Sequence, residues 1–356
     1  MIDTIAVIDN DLIERMSMNN ADRAYMLLEE GRKTEADVIS THAGGGAINS
    51  AVCFARLGHA VSTVVKLGRD TRAQAIKDAL RVEGISSAHV IDTDAAGTGA
   101  SVLISAHERN AAIFTFRGAN SLLEIQDLPR DDFARDIVYI TGLSDRSADV
   151  FPEIVQRAAS HDAFIAANPG IRQLAARGDE FQKALAHISL LSMNRDEAAV
   201  LVPKLMQQQP KPARMVSPAP KSAAMELMHR GLSAYGFEMS LPHFCEALLA
   251  LGPRCILVTD GKHGAYAAAN GEIAFCPSLA SAVVGTAGAG DAFTSTFTSH
   301  FAGGTAIGEA LQYAAINASS VVGFADTQSG LLDRGALDAA FSADSSKIAI
   351  SSWMVS

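Results

Sequence analysis

Cys255-Ile256-Leu257-Val258-Thr259 runs without a charge or a break into Asp260-Gly261-Lys262-His263-Gly264, a cluster of turn formers. Such a continuous run reads as a strand covered on both faces, because a half-solvated strand would alternate with polar residues. Upstream, Ile188 to Met193, Ala163 to Ala167, Asp136 to Thr141 and Ser62 to Leu67 have the same character. Between them, Asn49 to Leu57, Arg72 to Val82, Asp149 to Ala159, Glu180 to Ala186 and Leu241 to Leu251 carry apolar residues at three- and four-residue spacings, the pattern of amphipathic helices. Strand and helix alternating in this way predict an α/β fold, a three-layer αβα sandwich around a mainly parallel central sheet.

The chain has 356 residues, 48% hydrophobic and 19% charged, enough for one large core, and the expectation is a single domain over 1–356. Two regions break the alternation, Ile5 to Val38 and Thr98 to Arg117. In the second, Ala100 to Ser105 and Ala111 to Phe116 read as a hairpin around His107-Glu108-Arg109-Asn110. Pro203 to Ser222, with Gln207-Gln208-Gln209 and five prolines, reads as a flexible excursion.

Several function classes are disfavoured by composition. A net charge of -10 gives no basic stripe for nucleic acid. Ile273 to Gly308 holds one carboxylate and no lysine or arginine, but Pro277 and repeated glycines argue against a membrane span, which needs about 20 mainly apolar residues. Cys53, Cys245, Cys255 and Cys276 are too scattered for a zinc knuckle or redox pair, and the opening Met1-Ile2-Asp3-Thr4 lacks the basic start of a secretory signal. The expectation is a cytoplasmic protein with reduced, structural thiols.

Chemistry concentrates in Gly285-Thr286-Ala287-Gly288-Ala289-Gly290-Asp291-Ala292-Phe293, ahead of a helical run through Phe301. Small residues let main chain approach an anion, and amides at a helix start point at it with the positive end of the dipole. A carboxylate beside such a cradle binds phosphate poorly, yet is well placed to take a proton from an attacking hydroxyl. The competing reading is a glycine turn capped by aspartate. A second cluster, His42-Ala43-Gly44-Gly45-Gly46-Ala47-Ile48-Asn49-Ser50-Ala51, leads into Ala55-Arg56-Leu57-Gly58. There a ligand can press on glycine backbone while Asn49 offers donor and acceptor; a plain glycine turn is the alternative.

Together these segments resemble the ribokinase (PfkB) family of carbohydrate and nucleoside kinases. Gly44-Gly45 with Asn49 and Ala55 to Gly58 resembles the family's first signature, and Thr286 to Asp291 its second. Gly68 with Asp70, Asn168-Pro169, Asn194-Arg195-Asp196-Glu197, Val258 to Gly261 with Gly264, and Asn317-Ala318 follow in family order.

The resemblance implies an ATP-dependent kinase in which Asp291 is the base and Gly288, Ala289 and Gly290, with Ala287, form the anion hole. Asn194 and Glu197 would organise Mg2+, through water. Thr259, Gly261, Gly264, Thr286, Ala287 and Asn317 would border the nucleotide; Asp3, Gly44, Gly45 and Asn49 would meet the substrate. Asp9 is the fallback for Asp3, because only Met1 and Ile2 precede Asp3 where the family has a strand. Gly285 stands where many members carry an aspartate tied to a monovalent cation. The expectation is therefore weak potassium dependence, against which a large rate gain on replacing sodium by potassium would count.

The irregular regions, about 5–38 and 98–117, would form a small β lid that pairs two subunits into a homodimer. The substrate read first is a sugar; a nucleoside kinase is the alternative, with Tyr25, Phe114 and Phe116 as stacking surfaces. Phosphorylated sugars would call for Arg109 or Arg117, and a non-catalytic ligand sensor on the same fold is the reading from another class.

Overall fold

The computed structural model describes residues 1–9, 13–17, 24–27, 29, 31, 33–106, 112–130, 132–208 and 226–354. The chain opens with β1 (Ile2–Ile8), β2 (Glu14–Ser17), β3 (Ala24–Leu27) and β4 (Val38–Ala43), then α1 (Gly46–Arg56). β5 (Val65–Gly68), α2 (Thr71–Val82), β6 (Val90–Thr93), β7 (Ala100–Ala106) and β8 (Ala112–Phe116) follow. The alternating run is β9 (Ile137–Ile140), α3 (Phe151–Ala159), β10 (Phe164–Ala167), α4 (Ile171–Ala176), α5 (Gly178–Ala184), β11 (Leu190–Asn194) and α6 (Arg195–Gln208). After α7 (Glu226–Arg230) and the hairpin β12 (Leu232–Ala234) and β13 (Phe237–Met239) come α8 (Leu241–Leu249), β14 (Cys255–Thr259), β15 (Ala265–Ala269) and β16 (Glu272–Cys276). The chain closes with α9 (Ala289–Ala302), α10 (Ile307–Val321), α11 (Arg334–Asp344) and β17 (Ser351–Met354).

The central sheet has seven strands in the order β17-β16-β15-β14-β11-β10-β9. It is parallel from β9 to β14 and antiparallel through β15, β16 and β17. Its side chains alternate between two cores, as the pleat requires. Leu191, Ile256 and Val258 face α3, α5, α6 and α8, while Leu190, Cys255 and Leu257 face α1, α2, α9 and α10. This is the expected αβα sandwich. All four cysteines are free and buried, and burial pushes the Cys53 thiol up to about 12.

Three expectations need correction. Ser62 to Leu67 supplies β5, but among the described residues β5 pairs only with β6, as a separate two-stranded sheet. Between β5 and the free edge of β9 lies a cavity of about 410 Å³ lined by Phe54, Val64, Leu128, Phe133 and Tyr139, among others. The lid starts at Ile2, because β1 lies antiparallel to β4 and parallel to β7, giving a four-stranded sheet β4-β1-β7-β8. The excursion expected from Pro203 is helix as far as Gln208, since Leu201, Val202 and Leu205 are buried and their packing overrides the cost of Pro203 inside α6. Residues 209–222 and the turn 107–110 with Arg109 lie outside the described residues. Among the described residues, no helix is long and apolar enough to cross a membrane.

Candidate active site

α9 begins at the glycine turn. Its N-cap is Gly288 rather than an aspartate, in a left-handed conformation with φ 81°, and a Cβ there would meet Thr327 at 2.7 Å. The first bond inside the helix runs from the Ala292 N–H to the Gly288 carbonyl, so the N–H groups of Ala289, Gly290 and Asp291 make none within it. Asp291 is therefore the third helical residue, and its side chain caps nothing.

Asp291 instead accepts a hydrogen bond from Asn49 Nδ2 at 2.8 Å. Asn49, on α1 and 3% exposed, is itself fixed from the other side: Thr327 donates to its Oδ1 at 2.8 Å, and Gln328 Nε2 at 3.2 Å. Thr327 and Gln328 were not singled out by the sequence reading. Asp291 is half-buried and opens onto a cavity. Burial pushes its carboxyl above the usual range, the Asn49 bond draws it back, and the charge of Asp3 pushes it up further.

The cavity above Asp291 holds about 300 Å³, and its walls include Gly44, Gly45, Arg117, Asn120, Asn168 and Glu197. Gly44 and Gly45 thus form wall, as the reading of the second cluster requires. Asn49 and Asp3 stand behind the wall rather than in it. Asp3, 6% exposed, lies on β1 opposite His42 and Ser101. The Ser101 hydroxyl donates to its Oδ1, and its Oδ2 fills the space that a Cβ at Gly44 would need. Asp9 lies beyond the far end of β1, six residues or about 20 Å along the strand, and is exposed.

Asn194 and Glu197 form a reciprocal cap at the start of α6: the Asn194 N–H donates to Glu197 Oε2, and the Glu197 N–H to Asn194 Oδ1, both at 2.9 Å. The capping alternative is therefore real, but Glu197 also lines the cavity with Asp291. Burial is the main cause of its pKa rising to about 6, with the charges of Asp196 and Asp291 adding to it. Among the described residues no group of three or more His, Cys, Asp or Glu forms a metal cage.

Thr259, Gly261 and Gly264 sit at the end of β14, where buried Asp260 pairs with Arg195 at 3.2 Å and ties this turn to the start of α6. Thr286 is exposed, and Ala287 packs under the lid against Ile5, Val7 and Leu103. Asn317 is brought elsewhere. It is 0% exposed, donates to Thr296 Oγ1 at 2.8 Å and accepts from the Leu332 N–H at 2.9 Å, so it joins α9, α10 and the following loop rather than facing a nucleotide. A Cβ at Gly285 would lie 2.9 Å from the Phe324 carbonyl oxygen, so no carboxylate fits there on this backbone.

A carboxylate above free helix amides, in a cavity of sugar size, is an arrangement for phosphoryl transfer to an alcohol. Residues 5–222 and 240–334 match the family model described as pfkB family carbohydrate kinase. The chain belongs to that family. This PfkB-family kinase is 26% identical over 303 residues to the ribokinase of Bacillus subtilis (strain 168), covering 83% of the chain and 86% of the relative. Its fold matches Arabidopsis thaliana ribokinase complexed with ribose and ATP, at TM-score 0.67 and 21% identity over 95% of each chain. It also matches Burkholderia thailandensis nucleoside kinase in complex with inosine, at TM-score 0.69 and 14% identity over 96% of this chain and 95% of that one. The PfkB-family kinase is thus a carbohydrate kinase, a phosphotransferase with an alcohol acceptor.

Proposed function

We propose that this chain transfers the γ-phosphoryl group of ATP to a primary hydroxyl of a small sugar, with Asp291 as general base. One observation carries the reading: Asp291 stands in the first turn of α9, beside unbonded amides, on the floor of the 300 Å³ cavity. A carboxyl raised by burial is a stronger base than a free one, and the Asn49 bond keeps it ionised. Asp291 takes the hydroxyl proton as the new O–P bond forms and the bond to the ADP leaving oxygen breaks. The N–H groups from Ala287 to Gly290 hold the charge of the transferring group, and donors of this kind are worth about 3–4 kcal/mol each. Thr259, Gly261, Gly264 and Thr286 border the rest of the nucleotide in this reading.

Asn194 and Glu197 would hold Mg2+ through water, since two carboxyls, Glu197 and Asp291, converge on one cavity and magnesium needs few protein ligands. Bound there, the ion would neutralise phosphate charge. A sugar is favoured over a nucleoside because, among the described residues, no aromatic ring lines the cavity. Tyr25, Phe114 and Phe116 are instead exposed on the lid.

The decisive experiment replaces Asp291 by Asn. Loss of a general base costs at least about 100-fold in turnover, while ATP binding by calorimetry stays near wild type. Turnover within tenfold of wild type would remove the assignment. The lid leaves Ile39 70% exposed on the edge strand β4, and Phe114 60% exposed on the opposite edge strand β8, where Ile113 and Phe116 are exposed too. Unpaired apolar edges associate, so a homodimer formed through this sheet is expected, and sedimentation equilibrium giving a monomer at micromolar concentration would exclude it.

A further inference from the structure

Arg56 closes α1 with every nitrogen of its guanidinium engaged. Its Nε and Nη2 donate to the Glu83 carboxylate at the end of α2, at 3.1 and 2.6 Å. Its Nη1 donates to the carbonyls of Gln328 and Leu331, at 2.7 and 2.9 Å. A guanidinium clamped by a carboxylate on one side presents its remaining donors at a fixed angle, which an ammonium cannot do. What Arg56 grips is the loop 326–331, and that loop meets the candidate site in three places. Thr327 and Gln328 both donate to Asn49 Oδ1. Gln328 Nε2 also donates to the Ala43 carbonyl at 2.7 Å, just ahead of the glycine wall. Thr327 stands directly behind Gly288, where a Cβ would meet it at 2.7 Å. Asp326 tightens the loop on itself by accepting from the N–H groups of Gln328 and Ser329, at 2.9 and 2.7 Å.

We infer that Arg56, clamped by Glu83, is a positioning residue for phosphoryl transfer: it sets the loop 326–331, and through it the Asn49 amide on Asp291 and the backing of Gly288. Arg56, Glu83 and Gln328 are absent from the walls of the cavity, so Arg56 acts through the loop and not on a substrate. If the loop slips, the Asn49 amide is free to turn, and the charged form of Asp291 loses its donor. The titratable groups that act on Asp291 or feel its charge are Asp3 on β1, Glu197 on α6, Tyr139 on β9 and Cys53 on α1. Their hydrogen bonds go elsewhere: Asp3 to Ser101, Glu197 to Asn194 and Cys53 to Thr296. Moving the loop therefore reaches the base by way of Asn49. This inference rests on the reading of Asp291 as the base and adds a residue that serves it from outside the cavity.

The test measures ADP release from MgATP with D-ribose or D-fructose, whichever is turned over faster, and follows kcat/KM against pH. Arg56→Lys keeps the positive charge but loses the fork. Glu83→Gln keeps the arginine and removes a negative charge, which by charge alone would move the acid limb to lower pH. Loss of positioning moves it to higher pH in both variants, by roughly 0.5 unit. In both, kcat should fall about tenfold, less than the ~100-fold that a 1 Å misplacement can cost. KM should stay within about twofold, as for an interaction made only in the transition state. Arg157 supplies the structural control: it binds Glu153 at 2.7 Å and the Pro129 carbonyl at 3.0 Å, away from this cavity. Arg157→Lys should lower the thermal midpoint comparably and leave limb and kcat in place. Should Arg56→Lys fail to fold, Glu83→Gln decides alone, since its sign separates positioning from charge. A limb that stays put or moves to lower pH in Glu83→Gln overturns the inference and leaves the kinase reading standing, provided Asp291→Asn is inactive. Wild-type ADP release no greater than that of Asp291→Asn with both sugars overturns both.

Discussion

Asn49 and Asp3 both stand behind the glycine wall and both act on Asp291, but they belong to different parts of the molecule and push in opposite directions. Asn49 is anchored in the helical core by Thr327 and Gln328 and donates directly to the carboxylate, favouring its charged form. Asp3 belongs to a lid strand, touches Asp291 only through its charge, and disfavours that form. The proton affinity of the base is thus a balance between a fixed core element and a lid element. Ala287 packs against the same lid strands, so lid and cradle are mechanically as well as electrostatically joined.

The comparison is tested most strongly from the core side. Asn49→Ala removes the one side-chain donor to Asp291 among the described residues and leaves the Thr327 and Gln328 donors short of an acceptor. Turnover should fall about 10–100-fold, with about 1–3 kcal/mol of stability lost to unsatisfied groups. The acid limb of the kcat/KM profile should move to higher pH, because the charged form of Asp291 has lost support. A limb that stays in place while turnover falls would mean that Asn49 only packs.

Asp3→Asn should move the same limb the other way. With the neighbouring negative charge gone, Asp291 ionises more readily and the limb shifts to lower pH. The KM for the sugar should change little, because Asp3 stands behind the cavity wall and is bonded to Ser101. Limbs that move in the same direction in both variants would break the opposition between core and lid.

How much of this was legible beforehand follows the range of the forces involved. Cys255 to Thr259 is read to the residue, because a continuous apolar run covered on both faces is a local property. Asp291 was readable too, since a glycine turn, a helix start and an acid lie within nine residues. The support of Asn49 was not, because Thr327 lies 278 residues away and its only local sign is the polar cluster Asp326-Thr327-Gln328-Ser329 between Gly323 and Gly330. The isolation of β5 from the central sheet likewise depends on which edge finds a partner, not on the strand's own composition. Asn317 shows the limit of motif transfer: its position matches, but three hydrogen-bonding neighbours in the core claim its side chain.

The smallest expected effect concerns Glu197, and it separates stability from activity. Its carboxyl holds its proton up to about 6 in the folded protein, against 4.5 for the free group. The folded state therefore binds this proton more tightly than the unfolded chain does. That contribution to stability is complete below about pH 4.5 and is lost as the pH rises through 6. Glu197→Gln stays neutral throughout and can still serve the cap of α6, because glutamine suits that position. The variant should match wild type near pH 4.5 and exceed it above pH 6, by no more than about 1 kcal/mol since solvent reaches the group. Its requirement for Mg2+ should rise several-fold over the same range, where wild type offers a carboxylate. Thermal midpoints at pH 5 and pH 8, taken with Mg2+ titrations of turnover, check both halves. A glutamine variant less stable than wild type at pH 8 would mean that the charged carboxylate earns its place in the cap alone, and would detach Glu197 from the cation.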